Sequence, residues 1–461
     1  MALTDILAHV RCELARRQSL RSLQAIQRDL TRSTRSLEDA LRRPRTGFVM
    51  ECKQASPSRG TIRADYDPVE LASAYESLAD GISVLTEEQF FGGSLAHLRA
   101  VSDAVSVPVL QKDFVLGPYQ VFEARAHGAD AVLLLLSVLD DTRYRRCAEV
   151  AESLALDVLT EVHDEDELRR AVDLGARIIG INNRNLVTLE VDLTQTERLA
   201  PLVPDDRVVI CESGVGSHKD VARLRSLVDG FLVGTALSSR PDVARACCEL
   251  VFGTVKVCGL TRPGDARAAA DCGAVYGGLV FAPGSPRRVD FNRARTVRDG
   301  ADLAWVGVFV NHDPRLVAET ADALELTAVQ LHGDETAGYV ERLRDLLPAG
   351  CEVWKACRVR DQVPATSAEG SDRVVLDTYA ATSRGGTGER FDWSLLAGVD
   401  LERALLAGGL DASCAAAAGA VGAFGLDVSS GVEREPGEKS RDRLDAFFEA
   451  LRGRSRRGVH R

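Results

Sequence analysis

A repeated alternation of two kinds of segment constrains the fold of this chain more than any other feature of its sequence. Short apolar segments recur at near-regular intervals, and each is followed by a stretch whose apolar residues lie three or four positions apart, the spacing of a helix with one buried face. The sixteen predicted strands form two sets of eight, at residues 48–53, 82–87, 107–114, 131–137, 157–162, 178–184, 208–213 and 231–236, and at residues 255–259, 276–281, 305–310, 328–332, 352–356, 373–377, 404–408 and 424–428. Eight consecutive βα units are typical of a closed parallel barrel. We therefore predict an α/β fold with two tandem (β/α)8 TIM barrels.

The length of 461 residues independently indicates more than one domain, since a single hydrophobic core stops growing at about 250–300 residues. An open doubly wound sheet is the alternative for each half, because periodicity alone does not show closure, but such sheets more often have five or six strands. We expect the first barrel at residues 1–252, the second at 253–452, and a basic disordered tail at 453–461.

The residues ahead of the first strand predict an N-terminal helical extension of the first barrel. Leu3, Ile6, Leu7, Val10 and Leu14 have the spacing of an amphipathic helix. Two roles remain open at this point, namely closing the bottom of the barrel and covering its substrate mouth.

Composition and charge argue against several classes of protein. The longest apolar run, residues 131–139, is bounded by aspartates and is about half the length of a membrane span, and the net charge of −11 argues against a general nucleic-acid binder. The eleven cysteines have neither CxxC nor zinc-site spacing, and charged residues interrupt the region where a signal peptide needs an apolar stretch. We expect a cytoplasmic protein without metal, membrane or nucleic-acid partners.

The first set of strands places acid–base residues where a barrel carries its active site. Catalytic groups of parallel barrels lie at the carboxyl ends of strands, and five strand ends in the first set carry Glu51, Lys53, Lys112, Glu161, Asn182 and Glu212. A salt bridge at the rim is the alternative for each residue alone. Together they predict a site in which a buried lysine with a lowered pKa donates a proton and a carboxylate accepts one. The small turns after strands seven and eight, at residues 213–214 and 234–235, are typical of a phosphate site.

The motifs ECKQASPSRGTI, SVLTEEQFFGGSL, LQKDF, LTEVHDEDEL, GINNRNL and ESGV resemble indole-3-glycerol phosphate synthase over residues 1–250. The resemblance implies ring closure of carboxyphenylamino-deoxyribulose phosphate with loss of CO2 and water, without metal or organic cofactor. It implies that Lys112 is the general acid, that Glu161 is the general base of the dehydration, and that Lys53 holds the substrate and assists proton transfer. It further implies that the intermediate is oriented by Glu51, Asn182 and Glu212, and that the phosphate is bound by Ser56, Arg184, Ser213, Gly214, Gly234 and Thr235.

The second set of strands carries a different pair of candidate acid–base residues. Cys258 ends its first strand and Asp377 its sixth, and small turns follow its seventh and eighth strands, at residues 408–409 and 429–431. A single cysteine in a strand is more often a core residue, but a thiol and a carboxyl facing one phosphate-bearing mouth suit the movement of a proton between neighbouring atoms of a sugar. Arg287 could supply an anion contact. We interpret His332 as an orienting hydrogen-bonding residue rather than a base, and residues 383–393 as a mobile or ligand-covering loop.

The motifs KVCGLTRPGDA, YGGLVFAPGSPR, VGVFVNHD, AVQLHGDE, VLDT, GGTGERFDW, LAGGL and DVSSGVE resemble phosphoribosylanthranilate isomerase over residues 254–452. This resemblance implies an Amadori rearrangement in which Cys258 takes the proton from the sugar C2 and Asp377 protonates the ring oxygen. It also implies anthranilate contacts from Arg287 and Asp427, and phosphate contacts from Gly408, Gly409, Ser429, Ser430 and Gly431.

The two resemblances support each other, because the product of the isomerase is the substrate of the synthase. They imply one bifunctional enzyme of tryptophan biosynthesis whose partners are phosphorylated sugar–anthranilate substrates. We expect a monomer, since each barrel already has a large covalent neighbour. The alternatives are a chain with only one active barrel, a second barrel that acts on a related aminosugar phosphate, and a sensing or scaffold protein without turnover.

Overall fold

The chain divides into two compact units, each built on one closed barrel. The computed structural model describes residues 3–186, 188–363, 370–378, 390–454 and 456. The first unit comprises residues 1–247 together with the chain end from Arg454, and the second comprises Cys248–Gly453. The boundary thus falls five residues before the expected position of 252/253. Within the described residues, no helix combines the length and the apolar character that crossing a membrane requires.

The described residues of the first unit form ten strands, eight of which make up its barrel. Its strands are β1 Gly47–Cys52, β2 Ala55–Ser56, β3 Gly60–Thr61, β4 Gly81–Leu85, β5 Val109–Lys112, β6 Ala131–Leu135, β7 Asp157–Val162, β8 Ile178–Asn182, β9 Val208–Glu212 and β10 Gly230–Val233. Its helices are α1 Leu3–Leu20, α2 Leu23–Gln27, α3 Leu37–Leu41, α4 Pro68–Glu76, α5 Glu88–Phe91, α6 Leu95–Ala104, α7 Pro118–Ala126, α8 Asp141–Ser153, α9 Glu165–Asp173, α10 Thr194–Leu199, the 3-10 helix η1 Ala200–Leu202, α11 His218–Leu224, α12 Thr235–Ser238 and α13 Val243–Phe252, which runs into the second unit. The barrel closes in the order β1-β10-β9-β8-β7-β6-β5-β4, with every pair parallel.

The second unit repeats the arrangement. Its strands are β11 Thr254–Cys258, β12 Tyr276–Val280, β13 Ala304–Phe309, β14 Ala328–Leu331, β15 Glu352–Val359, β16 Arg373–Thr378, β17 Ala404–Leu406, β18 Gly425–Val428, β19 Glu433–Glu435 and β20 Glu438–Lys439. Its helices are α14 Pro263–Cys272, α15 Phe291–Arg298, α16 Pro314–Ala323, α17 Ala337–Arg344, η2 Trp393–Leu396, α18 Ala415–Ala420, η3 Ser430–Val432 and α19 Arg441–Arg452. Strands β11 to β18 close a parallel barrel in chain order. Both closed barrels confirm the predicted fold, and all sixteen predicted strands are present, because their apolar runs are buried on both faces as a parallel barrel requires.

The N-terminal extension does two things with two different helices. Leu37 and Leu41 of α3 belong to the core cluster inside the first barrel, and they lie against Gly47, Gly81 and Gly230 at the starts of three strands. Helix α3 therefore closes the bottom of the barrel.

Helix α1 lies on the opposite side, beside the mouth. Its residue His9 is 3.7 Å from Glu87, which follows β4, and Arg17 is 3.1 Å from Glu123 of α7. The residues of α1 are not among those that line the large mouth cavity described below. Helix α1 thus packs next to the mouth without forming its wall.

The end of the chain differs from the expected disordered tail at one residue. Arg456 is buried, its amide donates to the Val228 carbonyl at 3.0 Å, and its guanidinium donates to the Val203 carbonyl and to Asp205, each at 2.8 Å. These bonds explain why a residue from a basic run is ordered here. Ser455 and residues 457–461 lie outside the described residues.

Candidate active sites

A cavity of about 530 Å³ lies at the carboxyl ends of the first barrel's strands. It is lined by eleven of the residues that the sequence predicted for this site: Glu51, Lys53, Lys112, Glu161, Asn182, Arg184, Glu212, Ser213, Gly214, Gly234 and Thr235. Ser56 is not among the lining residues; it lies in β2, and its hydroxyl faces that of Ser58 at 3.5 Å. Ser56 pairs with Gly60 in the short β2–β3 hairpin, and a phosphate contact from Ser56 stays a prediction.

Lys112 is held between two carboxylates at the centre of this mouth. Its Nζ lies 3.2 Å from Glu161 Oε2 and 3.1 Å from Glu212 Oε2. Burial lowers the pKa of Lys112, but the charges of Glu212, Glu161 and Glu51 outweigh it, so that the net shift is upward. The expected lowering of this pKa is wrong, because the lysine's neighbours are anions rather than cations. Lys112 is thus a stably protonated donor in the free site.

The surroundings of Glu212 favour its neutral form, whereas those of Lys112 favour its charged form. Burial raises the pKa of Glu212 to about 7, against the lowering effect of Lys112 and with a further raising effect of Glu161. Its second oxygen, Oε1, is buried and has no hydrogen-bond partner among the described residues. Glu212 is therefore a carboxyl that can hold or release a proton near neutral pH.

Glu161 is oriented from the neighbouring strand. Asn182 Nδ2 donates to Glu161 Oε1 at 2.8 Å, and Asn182 Oδ1 accepts the Arg184 amide at 2.9 Å. These two bonds fix the amide of Asn182 and leave Glu161 Oε2 facing Lys112. Lys53 directly follows β1, and its Nζ lies 3.0 Å from Oε1 of Glu51 in that strand, as their predicted shared inner face implies.

Two arginines and an apolar wall complete the first mouth. The pKa of Arg184 is lowered by burial and by the charge of Arg59, a shift that a bound anion would relieve. Arg59 was missed from the sequence, although its place in the loop SPSRG after β1 was a usable signal. The apolar part of the wall includes Phe91, Phe114 and Leu135. The mouth therefore combines arginines that suit an anion, apolar side chains and a proton donor in one cavity.

The second barrel has a cavity of about 440 Å³ at the corresponding end. The predicted residues that line it are Cys258, Arg287, Asp377, Gly408, Gly409, Asp427, Ser429 and Ser430. Gly431 does not line it: it lies in η3, where a Cβ would be 1.9 Å from the Leu410 carbonyl oxygen. That close packing explains why a glycine stands at this position, and a phosphate contact from Gly431 stays a prediction.

Lys256, which the sequence analysis did not single out, lies directly below this mouth. It is fully buried, and its Nζ contacts Asp427 Oδ2 at 2.7 Å and Gln330 Oε1 at 2.8 Å. Asp427 is thus paired with a lysine of the neighbouring strand as well as lining the cavity. The usable sequence signal was a lysine two residues before Cys258; its side chain passes Gly278, where a Cβ would lie 3.1 Å from Lys256 Cε.

Burial raises the pKa of the Cys258 thiol, while Lys256 and Lys439 act against the rise. Lys439 is buried and donates to the Cys258 carbonyl at 2.6 Å and to Glu433 at 2.8 Å. Two ammonium groups therefore favour the thiolate of Cys258 in a site that otherwise disfavours charge.

Asp377 and His332 meet at the far side of the cavity, where His332 Nε2 lies 3.3 Å from Asp377 Oδ2. The ring's other nitrogen, Nδ1, lies 3.1 Å from Gln330 Nε2. This placement agrees with the interpretation of His332 as an orienting residue. Residues 383–389 of the glycine-rich loop lie outside the described residues.

Arg287 is already held in place before any ligand binds. Its Nε and Nη2 donate to the Glu433 carboxylate at 2.9 and 2.7 Å. Although burial raises the pKa of Glu433, Arg287 and Lys439 hold it below its ordinary value. Within the described residues no hydrogen bond is made by Nη1 of Arg287, which leaves that nitrogen for an anionic ligand.

Comparison with known proteins assigns each half. Residues 3–250 match the family described as indole-3-glycerol phosphate synthase, and residues 255–450 match N-(5'phosphoribosyl)anthranilate isomerase. The tryptophan biosynthesis protein TrpCF of Yersinia pestis is 48% identical over 439 residues, which cover 95% of this chain and 92% of that protein. The protein of the same name from Salmonella typhi is 47% identical over 436 residues, covering 95% and 96%.

A solved phosphoribosyl anthranilate isomerase from Thermus thermophilus is 33% identical and covers 43% of this chain and 98% of its own, with a TM-score of 0.39. The assignment does not depend on it, because both sequence families and the full-length relatives agree on the order of the two halves. The chain therefore belongs to the bifunctional TrpCF family of tryptophan biosynthesis, with an indole-3-glycerol phosphate synthase barrel followed by a phosphoribosylanthranilate isomerase barrel.

Proposed function

We propose that the two mouths catalyse consecutive steps with the residues named above. The second barrel converts N-(5-phosphoribosyl)anthranilate to 1-(2-carboxyphenylamino)-1-deoxyribulose 5-phosphate, and the first barrel closes that product to indole-3-glycerol phosphate with loss of CO2 and water. The observation that carries this proposal is that each mouth gathers a proton donor and a proton acceptor in one cavity, with the family's residues at those positions.

In the second barrel, Asp377 is the general acid and Cys258 the general base. Asp377 protonates the ring oxygen of the ribose, the C1–O bond breaks, and the nitrogen lone pair forms the iminium. The Cys258 thiolate then takes the proton from C2, which gives an enol that tautomerises to the ketone. Lys256 and Lys439 support this role, since both favour the thiolate. Arg287, held side-on by Glu433, and Asp427 contact the anthranilate end of the substrate.

In the first barrel, Lys112 is the general acid at the ketone carbonyl that the anthranilate ring attacks. Its raised pKa keeps it protonated until the carbonyl oxygen develops charge. CO2 then leaves from the ring, and Glu161, held by Asn182, acts in the dehydration. Lys53 and Glu51 contact the substrate from β1, and Glu212 balances the charge of Lys112.

Phosphate binding belongs to the small turns after the last strands of each barrel. In the first barrel these are Ser213–Gly214 and Gly234–Thr235, with Arg184 and Arg59 nearby. Gly214 has a φ of +90°, a conformation that a side chain disfavours. In the second barrel the corresponding residues are Gly408, Gly409, Ser429 and Ser430. Backbone amides at such turns are suited to an anion without an added positive charge.

The proposal extends to the setting of the enzyme. Eleven cysteines without a disulfide fit a reducing cytoplasm. We place the active form as a monomer, with neither metal nor organic cofactor, because the proton transfers above need only side chains.

A one-pot assay tests the sequence of reactions. The purified chain receives freshly generated phosphoribosylanthranilate, and indole-3-glycerol phosphate is followed by its ultraviolet absorbance. Product formation supports both activities. Decay of substrate fluorescence without product, faster than in a blank, would contradict the assignment of the first barrel.

Two variants test the residue roles in the second barrel. Cys258→Ser and Asp377→Asn should each lower the isomerase kcat by about 10²–10⁴-fold, the usual contribution of a general acid or base. The synthase activity of the same chain, assayed with the isolated intermediate, serves as the control for folding and concentration. Unchanged isomerase activity in either variant would remove that residue from the mechanism.

A further inference from the structure

A line of polar side chains runs from beneath Cys258, the proposed general base of the second barrel, to Asp377, its proposed general acid. Lys256 lies on the inner face of β11, two residues below Cys258, and is fully buried. Its Nζ reaches Gln330 Oε1 on β14 at 2.8 Å. Gln330 is 1% exposed, so bulk water does not compete for its amide.

The hydrogen-bond directions along this line follow from the first donor. An ammonium group only donates, so the atom of Gln330 that faces Lys256 has to be the oxygen. The amide nitrogen of Gln330 consequently faces His332 Nδ1, at 3.1 Å, and donates to it. A ring nitrogen that accepts carries no proton. The proton of the neutral imidazole therefore lies on Nε2.

The protonated nitrogen faces the acid. His332 Nε2 lies 3.3 Å from Asp377 Oδ2 and, within the described part of the chain, makes no well-aligned hydrogen bond. The charged and titratable groups that share this surrounding are Cys258, Arg287, Asp377 and Asp427 around the cavity and Lys256 below it. Lys355, on the adjacent strand β15, is directed to Glu335 at 2.8 Å instead.

We propose that Lys256, Gln330 and His332 are positioning residues that form one hydrogen-bonded line, and that this line fixes His332 as the neutral Nε2–H tautomer, whose N–H lies within reach of Asp377. A second proton on Nδ1 would face the N–H groups of Gln330, so the line excludes the imidazolium. A neutral donor orients the carboxyl and stabilises the carboxylate left after proton transfer. An imidazolium at 3.3 Å would hold Asp377 ionised before the reaction and remove the acid. Lys256 thus supports the thiolate of Cys258 and the acid Asp377 at once.

The tautomer can be measured without any turnover. The catalytic part of this proposal rests on the proposed function of Asp377. Nuclear magnetic resonance of the full chain with 15N-labelled histidine measures directly which ring nitrogen carries the proton. The signal of His332 is assigned as the one of eight histidines lost in His332→Gln. We expect a protonated Nε2 and an unprotonated Nδ1 at pH 7. A protonated Nδ1 in the native chain would overturn the proposal.

Gln330→Glu should reverse the direction of the hydrogen bond between residue 330 and His332 Nδ1. A carboxylate accepts from both Lys256 and His332 Nδ1, and so it stabilises the imidazolium. We expect both ring nitrogens to be protonated at pH 7. The isomerase kcat should fall by about 10- to 100-fold at that pH, with KM changed less than about 2-fold, and the loss should shrink as the pH is raised. Gln330→Met, which neither donates nor accepts, should give mixed tautomers and a smaller, pH-independent loss.

Asn292→Asp is the matched control. It makes the same change of amide to carboxylate at an exposed position on α15 of the same barrel, and it should alter neither the His332 signals nor the rate. Equal loss in Gln330→Glu at every pH, or an imidazolium in Gln330→Glu with full activity, would overturn the link to Asp377. If Asp377→Asn kept full activity, the proposed function would fail while the tautomer measurement still stood.

Discussion

Each barrel carries an inward lysine that is paired with at least one carboxylate, and the two lysines differ in depth. Lys112 is the last residue of β5, lines the first cavity, and contacts Glu161 and Glu212 there. Lys256 lies two residues before the end of β11, is not among the residues lining the second cavity, and contacts Asp427 and Gln330 below it. Because inward side chains alternate along a strand, a shift of two residues moves the group one layer down.

The depth decides what such a lysine can do. At the rim, an ammonium group can reach substrate, and its charge is available to the reaction. One layer lower it is shielded from substrate, and it acts through the groups above it, here the thiol of Cys258 and the amide of Gln330. We therefore propose that Lys112 donates a proton to the substrate in the first barrel, whereas Lys256 positions other side chains in the second barrel.

The largest expected effect is on the rim lysine. Lys112→Met should lower the synthase kcat by about 10²–10⁴-fold, since it removes the proton donor and leaves the anionic neighbours. The isomerase activity of the same chain should stay within about 2-fold of the original, because Lys112 belongs to the other unit. Synthase turnover at the original rate would break the comparison, because Lys112 would then be a support as well.

The buried lysine should affect stability as much as rate. Lys256→Met leaves Asp427 buried without its partner, and removing one member of a buried pair costs about 3–5 kcal/mol. Urea unfolding of the second unit should show this loss. The double variant Lys256→Met with Asp427→Leu should recover part of it. A single variant as stable as the original chain would mean that Lys256 and Asp427 gain nothing from each other.

Glu212 should make the stability of the first unit depend on pH. Burial raises its folded pKa to about 7, whereas the unfolded carboxyl titrates at its ordinary, lower value. The folded state therefore holds the proton more tightly, and the first unit loses stability as the pH rises from about 4.5 to 7. Glu212→Gln, which mimics the protonated form, should be more stable than the original chain above pH 7, by on the order of 3 kcal/mol.

The difference in stability between Glu212→Gln and the original chain should vanish at pH 4, where the Glu212 carboxyl is mostly protonated in both the folded and the unfolded state. Thermal unfolding of the two chains across this range measures it, and Glu190→Gln, at an exposed position of the same unit, is the control. An advantage of Glu212→Gln that grows toward acid would contradict the sign of the shift.

The smallest effect concerns a glycine that makes room for Glu212. A Cβ on Gly180, in the middle of β8, would lie 1.9 Å from Glu212 Oε1, so Gly180→Ala has to displace that carboxyl from Lys112. We expect the synthase kcat to fall about 10-fold, since small displacements of catalytic groups are costly. Gly117→Ala, where a Cβ meets nothing within 4 Å and the φ of 178° is extended backbone, is the matched control. Equal rates for both variants would show that the position of Glu212 is not critical.

Much of the fold and part of the sites could be predicted from the sequence. The strands followed from apolar runs, which local composition records, and Lys112, Glu161, Cys258 and Asp377 stood out as polar residues at strand ends. The pKa direction of Lys112 could not be predicted, because it depends on Glu161 and Glu212, which are distant in sequence and reach it only through barrel closure. Ser56 and Gly431 are not among the residues that line the two cavities, and their phosphate contacts stay predictions.

The sequence by itself determined the two barrels, the order of the two activities and the residues that end each strand, since periodicity and motifs are local properties of the chain. Tertiary structure alone decided the partners of those residues. Lys256 and Asp427 are 171 positions apart and lie opposite each other only because β11 and β18 close the barrel. Charge balance, hydrogen-bond direction and the depth of a side chain depend on which strands become neighbours, and that is a property of the closed sheet rather than of any one segment.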